Sequence, residues 1–549
     1  MQLYSIPVFI FTIIILTSCG KSKSVESYCK DQNEIITSVC ATAANTESGK
    51  VSGYIENGIY IYKGIPYAQA ERFMPPSKVI KWDGVRSSRS FGPTSPQSKR
   101  MGWYSDEQAF AFNWNDGYED EDCLRLNIWT PGINSNKKRP VMVWLHGGGY
   151  STGSGHELPS YDGTNLAQKG DIVVVTLNHR LNVLGFLDLS AYGEKYKESG
   201  NVGLLDIVAA LEWVNKNISS FGGDPSNVTI FGQSGGGGKV STLLATPSAE
   251  GLFHKAIIQS GAMLNTMEAK WSRRIGTEVV RELGLNSSDI NKIQKIPYQQ
   301  LLEAGEKAVA KVKSEADKEG FTTFIFGWAP TIDGNVLPSK LFYPIPPEQS
   351  KNIPILIGTT LHEFCASTYN PSIRNITQEQ AVEQLKVKYG NRVNEYLEAF
   401  KNAYPNYTPK DLFDVDFIFR PSTVEFSNIM SSFNNAPVYT YLFTWESPVL
   451  DGTLRSLHCM ELPFVFNNVE RNKSMTGGGS EAIKLGDIMS SAWTNFAKTG
   501  NPNTKGLPYW EPYNVNNESL MIFDKICELK KGHDKELLDI VRLFPIRGL

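Results

Sequence analysis

The sequence predicts an α/β protein built on one large, mostly parallel sheet flanked by helices. Short apolar runs rich in β-branched residues recur along the chain and end at glycines. Helix-period patterns lie between them. No internal repeat or low-complexity linker interrupts the chain from residue 48 onward.

The runs come in order. Residues 51–55 and 58–63 read as an opening hairpin. Residues 141–145, 172–177 and 228–231 are short, apolar and followed by polar or glycine-rich turns. Residues 257–258 and 355–358 continue the series, and 438–443 is expected to close it. Runs of this kind suit strands buried on both faces. Leu204, Leu205, Val208, Leu211, Trp213 and Val214 recur at helical spacing. Residues 262–350 and 370–435 are mostly helical in pattern and read as insertions over one sheet. Length alone, at about 150 residues per domain, would suggest roughly three or four domains. The unbroken alternation argues instead for a single domain over 48–549.

Composition sets limits. The chain has 549 residues, 41% hydrophobic and 20% charged, with a net charge of −3. That balance gives no footing for nucleic acid or for an anionic membrane surface. The cysteine and histidine spacing shows no metal cluster, so no metal and no cofactor are expected.

The chemistry begins at Gly232-Gln233-Ser234-Gly235-Gly236, a G-x-S-x-G pentapeptide. Five residues alone are a weak signal. Here a β-branched run leads into them and a helix-compatible stretch, 239–244, follows. A sharp strand-to-helix turn exposes a serine hydroxyl, and flanking glycines let the chain make the turn without clashes. Ser234 is therefore the candidate nucleophile. His146-Gly147-Gly148-Gly149-Tyr150 follows the run 141–145. Backbone N–H groups in such a loop can face a developing oxyanion, so Gly148, Gly149 and Gly235 are candidate donors.

A serine hydroxyl needs a base, and the chain has 7 histidines. His458 lies beyond 438–443, where the chain order Ser, acid, His places the base. His362 is the alternative. The orienting carboxylate belongs after the preceding strand, where Glu363 follows 355–357. Asp333, which precedes that strand, is the alternative.

Longer motifs now add to these residues. Phe221 through Ser234, FGGDPSNVTIFGQS, is similar to the nucleophile signature of the type B carboxylesterases, the cholinesterase-like branch of the α/β-hydrolase fold. EDCLRLN at 121–127 resembles that family's second signature. GIPYA at 64–68, HKAIIQSG at 254–261 and WTNFAKTG at 493–500 fit as well. The resemblance covers roughly residues 48–525. It implies a Ser-Glu-His triad on Ser234, Glu363 and His458, with Gly148, Gly149 and Gly235 as the oxyanion hole. It also implies two structural ion pairs, Arg72 with Glu121 and Arg180 with Asp206.

The sequence departs from the family at four places. Gly235 stands where Ala is usual, which predicts a more flexible helix start. Gln233 stands where Glu is frequent, which disfavours cationic substrates. Ser95 stands where a cysteine would pair with Cys123, so that disulfide is expected to be absent. Cys459 follows the histidine where Gly is frequent. Cys365 and Cys459 flank the acid and the base, which raises a disulfide between them as one option. Residues 103–118 carry Trp103, Tyr104, Phe110, Phe112, Trp114 and Tyr118, and in the family this region lines the gorge to the nucleophile.

The expected function is a serine carboxylic-ester hydrolase working through an acyl-enzyme on Ser234, with a small, hydrophobic ester as substrate. An amide or carbamate hydrolase, or a lipase, would use the same triad. A non-catalytic adhesion or scaffold protein is the reading from another class, and the presence of all three triad residues speaks against it.

The N-terminus carries a separate signal. The apolar run 6–16 is about half the roughly twenty residues a membrane-crossing helix needs, and it suits a secretory signal. Leu16-Thr17-Ser18-Cys19 resembles a bacterial lipobox, which makes Cys19 the expected lipid attachment site. Residues 1–18 then form a signal peptide and 19–47 a lipid-anchored polar tether. The protein is expected to be an exported lipoprotein that touches the membrane only through that anchor. Cys29 and Cys40 are close enough in sequence to close a short disulfide loop.

Overall fold

The protein is described from a computed structural model covering residues 34–98, 106–115, 117–321, 323 and 325–544. Its core is an eleven-stranded mixed sheet. From one edge to the other the strands are Glu528–Lys531, Ser519–Phe523, Val438–Phe443, Ile355–Thr360, Lys255–Gln259, Gly223–Gln233, Arg139–Leu145, Val173–Leu177, Arg125–Thr130, Ile59–Pro66 and Tyr54–Glu56. The run from Ser519–Phe523 to Val173–Leu177 is parallel throughout. The pairings at both edges are antiparallel.

Burial explains the apolar runs. Every residue of Val173–Leu177, Lys255–Gln259 and Ile355–Thr360 is buried. Sheet strands covered by helices on both faces have no solvent face on which to place polar residues. The helix Val202–Asn217 buries Leu204, Ile207, Val208, Leu211, Trp213 and Val214 on one side of the sheet. The helix Ser480–Thr499 buries Leu485, Met489, Trp493 and Phe496 on the other. Burying each such side chain stabilises the fold by about 1.5–3 kcal/mol.

The structure corrects the sequence at both ends of the sheet. Residues 438–443 do not close it: Ser519–Phe523 pairs parallel beyond them and Glu528–Lys531 antiparallel beyond that. The opening hairpin is Tyr54–Glu56 with Ile59–Pro66, whereas Gly49–Ser52 pairs with Ala43–Thr46 in a small separate sheet. Part of the stretch expected to be a tether is therefore folded. Ile36 also bridges Ile55, and Thr42 is buried. Cys19 and Cys29 lie outside the described residues.

The two long excursions are helical, as the pattern predicts. The first holds Ala269–Glu282 and Tyr298–Lys318. The second holds Gln378–Tyr389, Val393–Ala403 and Arg420–Phe433. Both excursions begin at the carboxyl ends of parallel strands, where open α/β sheets place their ligand sites.

Candidate active site

Parallel pairing brings the first two motifs together. Leu145 lies opposite Gly232 in adjacent strands. Both strands end there, so the glycine loop and the G-x-S-x-G turn leave the sheet side by side. Ser234 has φ 57° and ψ −126°, a strained conformation for a residue with a side chain. Surrounding hydrogen bonds hold it: the Ser234 N–H donates to the Gln259 carbonyl at 2.8 Å, and the Gly238 N–H donates to the Ser234 carbonyl at 3.0 Å. The helix Gly235–Leu244 starts directly after it, four residues earlier than the helix-compatible stretch suggests, and its N-terminus faces the turn.

The glycines are needed for space. A methyl group on Gly235 would stand 2.6 Å from the Gly149 nitrogen, and one on Gly236 would stand 2.0 Å from the Leu145 carbonyl oxygen. The glycine loop lies directly against the helix start, so the run of four buried glycines permits close packing. In the loop itself, Gly148 has φ +85°, and a methyl there would meet the Thr152 carbonyl at 2.1 Å. Gly149, Ser234 and Gly235 share the wall of one cavity.

The acid and base come from the next two loops. Glu363 follows Ile355–Thr360 and His458 follows Val438–Phe443. His458 Nδ1 is hydrogen-bonded to Glu363 Oε2. The His458 N–H donates to the Glu363 carbonyl at 2.9 Å, and Glu363 Oε1 accepts from the Thr360 N–H at 2.9 Å. Both side chains are buried. A carboxylate held this way fixes the imidazole orientation through Nδ1. Phe364 and Phe419 pack on the imidazole, with ring centres 4.9 and 5.2 Å away, and both line the same cavity as Ser234.

The alternatives fall elsewhere. His362 is buried with Nδ1 2.7 Å from Ser456 Oγ, and burial pushes its pKa well down. Asp333 caps a turn through the Asn335 and Leu337 N–H groups and bonds Asn201.

Around the base sit residues that sequence reasoning did not assign. The Gln233 amide nitrogen lies 3.1–3.2 Å from both imidazole nitrogens of His458, and its oxygen accepts from the Cys459 thiol. Glu461 accepts from Gln259 at 2.9 Å, and burial, with the nearby Glu363, raises its carboxyl to about 7. Burial also pushes Asp416 up, again with Glu363 adding to it. Gln259 joins three of the quoted motifs: its backbone holds Ser234, its amide reaches Glu461, and its oxygen accepts from Trp493 Nε1.

Cys365 and Cys459 are both free and buried, so no disulfide joins them. Cys123 is likewise free, buried and hydrogen-bonded to Ser95, in keeping with the expected absence of that disulfide. The two implied ion pairs form, Arg72 with Glu121 and Arg180 with Asp206.

Residues 103–118 are the aromatic wall the sequence predicts. Trp103 and Tyr104 lie outside the described residues. Phe112 and Trp114 stack on each other 5.1 Å apart, while Phe110 and Tyr118 are exposed. Among the described residues, the cavity of about 750 Å³ takes its aromatic rings from Phe321, Phe326, Phe364 and Phe419. Both insertions contribute, because each folds back over the strand ends. Spacing alone could not show this, since these phenylalanines belong to no motif.

A model of the carboxylesterase family matches residues 41–540. The chain belongs to the carboxylesterase family. It is 36% identical to a para-nitrobenzyl esterase from Bacillus subtilis (strain 168), across 92% of this chain and 98% of that one. It is 31% identical to a phenmedipham hydrolase from Pseudarthrobacter oxydans, across 87% of this chain and 94% of the other. Among solved structures, an esterase from anaerobic Clostridium hathewayi that can hydrolyze aliphatic aromatic polyesters aligns with a TM-score of 0.81 and 37% identity, covering 92% of this chain and 98% of the other. The fold is accordingly that of the α/β-hydrolases, and the enzyme is a carboxylesterase that uses serine chemistry.

Proposed function

We propose that this carboxylesterase hydrolyses esters through an acyl-enzyme on Ser234, with His458 as general base and acid and Glu363 as its orienting carboxylate. The observation that carries this reading is the buried Glu363–His458 pair, whose stacking partners Phe364 and Phe419 line the same cavity as a serine held at φ 57° on a strand-to-helix turn. In the first step His458 Nε2 takes the Ser234 proton as the oxygen adds to the ester carbonyl. The oxyanion then meets the N–H groups of Gly148, Gly149 and Gly235. Collapse expels the alcohol, which leaves with the proton from His458, and water repeats the sequence to release the acid.

The substrate is a hydrophobic carboxylic ester. Met263, Phe321, Ile325 and Phe326 give the cavity an apolar wall, and Gln233 adds no negative charge beside the base. Lys313 and Asp317 bring exposed charges of both signs to the same cavity. A panel of 4-nitrophenyl esters of increasing acyl length should show rising kcat/KM until the cavity is filled.

An aryl phosphonate tests the nucleophile. Peptide mass mapping should find one adduct, on Ser234, and Ser234→Ala should lower kcat by at least about 10⁴-fold while the protein stays folded. An adduct elsewhere, or turnover that survives the substitution, sinks the assignment.

The proposed setting is an exported lipoprotein anchored through Cys19. Support comes from the apolar run 6–16 and the Leu16-Thr17-Ser18-Cys19 sequence. Mass analysis of the mature N-terminus should find a diacylglyceryl-modified Cys19. An intact Met1, or cleavage at another site, ends that reading.

A further inference from the structure

Lys239 lies on the helix that carries the G-x-S-x-G turn, and its side chain is fully buried. A buried amine loses much hydration and needs a partner. The partner is the His146 carbonyl, which accepts from Lys239 Nζ at 2.7 Å. His146 is the last residue before the glycine loop. The same Nζ stands 5.7 Å from the ring centre of Tyr150, the first residue after that loop. One side chain therefore touches both ends of Gly147–Gly149.

An apolar side chain of the same length would fill this space with a smaller desolvation cost. It could not donate to the His146 carbonyl. The glycines themselves offer no side chains by which the loop can be anchored. The loop packs against the helix start so closely that a methyl on Gly236 would also come within 2.9 Å of the His146 oxygen. Burial lowers the lysine ammonium to about 7, with Glu157 opposing that shift, and Nζ is a donor in either protonation state.

We infer that Lys239 is a positioning residue for the oxyanion hole: its bond to the His146 carbonyl fixes the peptide that enters the glycine loop against the helix following Ser234. The inference rests on the proposed role of Gly148 and Gly149. It requires that Lys239 act on the tetrahedral state more than on the bound ester, because the loop meets a full negative charge only there. A displacement of about 1 Å in such donors can cost about a hundredfold in rate.

The test uses Lys239→Met, which keeps the length and removes the donor. Three quantities are compared with the unaltered enzyme: kcat/KM for 4-nitrophenyl butyrate, inhibition by an aryl trifluoromethyl ketone, and inhibition by the corresponding methyl ketone. The first ketone forms a tetrahedral adduct with an oxyanion; the second binds without forming it. The expected result is a fall in kcat/KM and in trifluoromethyl ketone affinity by the same factor, at least about tenfold, with methyl ketone affinity unchanged. Unchanged trifluoromethyl ketone affinity, or an equal loss for both ketones, overturns the inference. If the Met variant does not melt cooperatively, Lys239→Gln, too short to reach the carbonyl, is measured against the same expectations. Failure of both to fold assigns Lys239 to stability alone and also overturns it. Phosphonate labelling separates the two readings: an unaltered enzyme without an adduct on Ser234 loses its proposed nucleophile, whereas normal labelling with unchanged ketone affinities removes only Lys239.

Discussion

The two halves of the site are built from different materials. The nucleophile half, residues 146–150 and 232–238, is mostly backbone. Its geometry depends on glycines that let two chain segments meet closer than any side chain would permit. The acid–base half, residues 360–368, 411–420 and 446–461, is mostly side chains, and many are charged and buried. Arg455 is its hub: its guanidinium pairs with the charge of Asp411 and hydrogen-bonds Asp414 at 2.9 Å and Glu446 at 2.9 Å. Asp414 in turn accepts from the Ser367 N–H and hydroxyl, four residues beyond Glu363. The contrast teaches that the first half is sensitive to volume and the second to charge balance.

Substitutions that change one property and spare the other can break that comparison. The largest effect is expected from Glu363→Gln. Volume is kept, but the amide no longer enforces the productive imidazole tautomer, so kcat should fall by about 10³–10⁴-fold with a nearly unchanged melting temperature. Steady-state kinetics and a thermal melt check this, and a loss below tenfold would show that the carboxylate charge matters little. Arg455→Met is expected to act on stability. Removing it leaves buried Asp414 and Asp411 without their cation, at about 3–5 kcal/mol in denaturant unfolding. Catalysis should weaken too, because Ser367 sits in the short helix Ala366–Tyr369 that directly follows the Glu363 loop.

Gly235→Ala sharpens the other side of the comparison. Its methyl would stand 2.6 Å from the Gly149 nitrogen, so the loop must retreat. We expect kcat to fall several-fold, roughly 1 kcal/mol in barrier, with KM little changed. An unchanged kcat would show that the loop tolerates more volume than the static packing suggests. The smallest effect is expected at Glu461. Its carboxyl sits at about 7 when folded against an ordinary 4.5, chiefly through burial. The folded state therefore holds the proton more tightly, and ionisation costs stability progressively as pH rises from 4.5 through 7. Below that window the cost is absent. Glu461→Gln should raise the melting temperature at pH 8 and leave it unchanged at pH 4.5; an equal shift at both pH values would rule out ionisation as the cause.

What the sequence revealed follows the same division. Backbone geometry leaves local signatures, because glycines must stand where space is absent. The elbow around Ser234 and the loop 147–149 were legible for that reason. Glu363 and His458 were legible through chain order, although two strands follow the one expected to be last. The run 519–523 passed unread because it is short, lies outside every motif and joins the sheet by pairing with residues 441–443, far away in the chain. Phe364 and Phe419 were missed because nothing local marks a phenylalanine as the neighbour of a histidine. Among the described residues the cavity's rings come from Phe364, beside the acid, and from Phe321, Phe326 and Phe419 of the insertions, none of which a motif marks.

By itself the sequence determined the α/β architecture, the family and the identity of the candidate triad, because strand burial, turn geometry and glycine placement are written in neighbouring residues. Tertiary structure alone decided which buried charges surround the base, that Cys365 and Cys459 stay free, which rings line the cavity, and that Lys239 reaches the His146 carbonyl. Each of these depends on segments far apart in the chain arriving at one place, and pairings of that kind leave no period or spacing in the sequence to read.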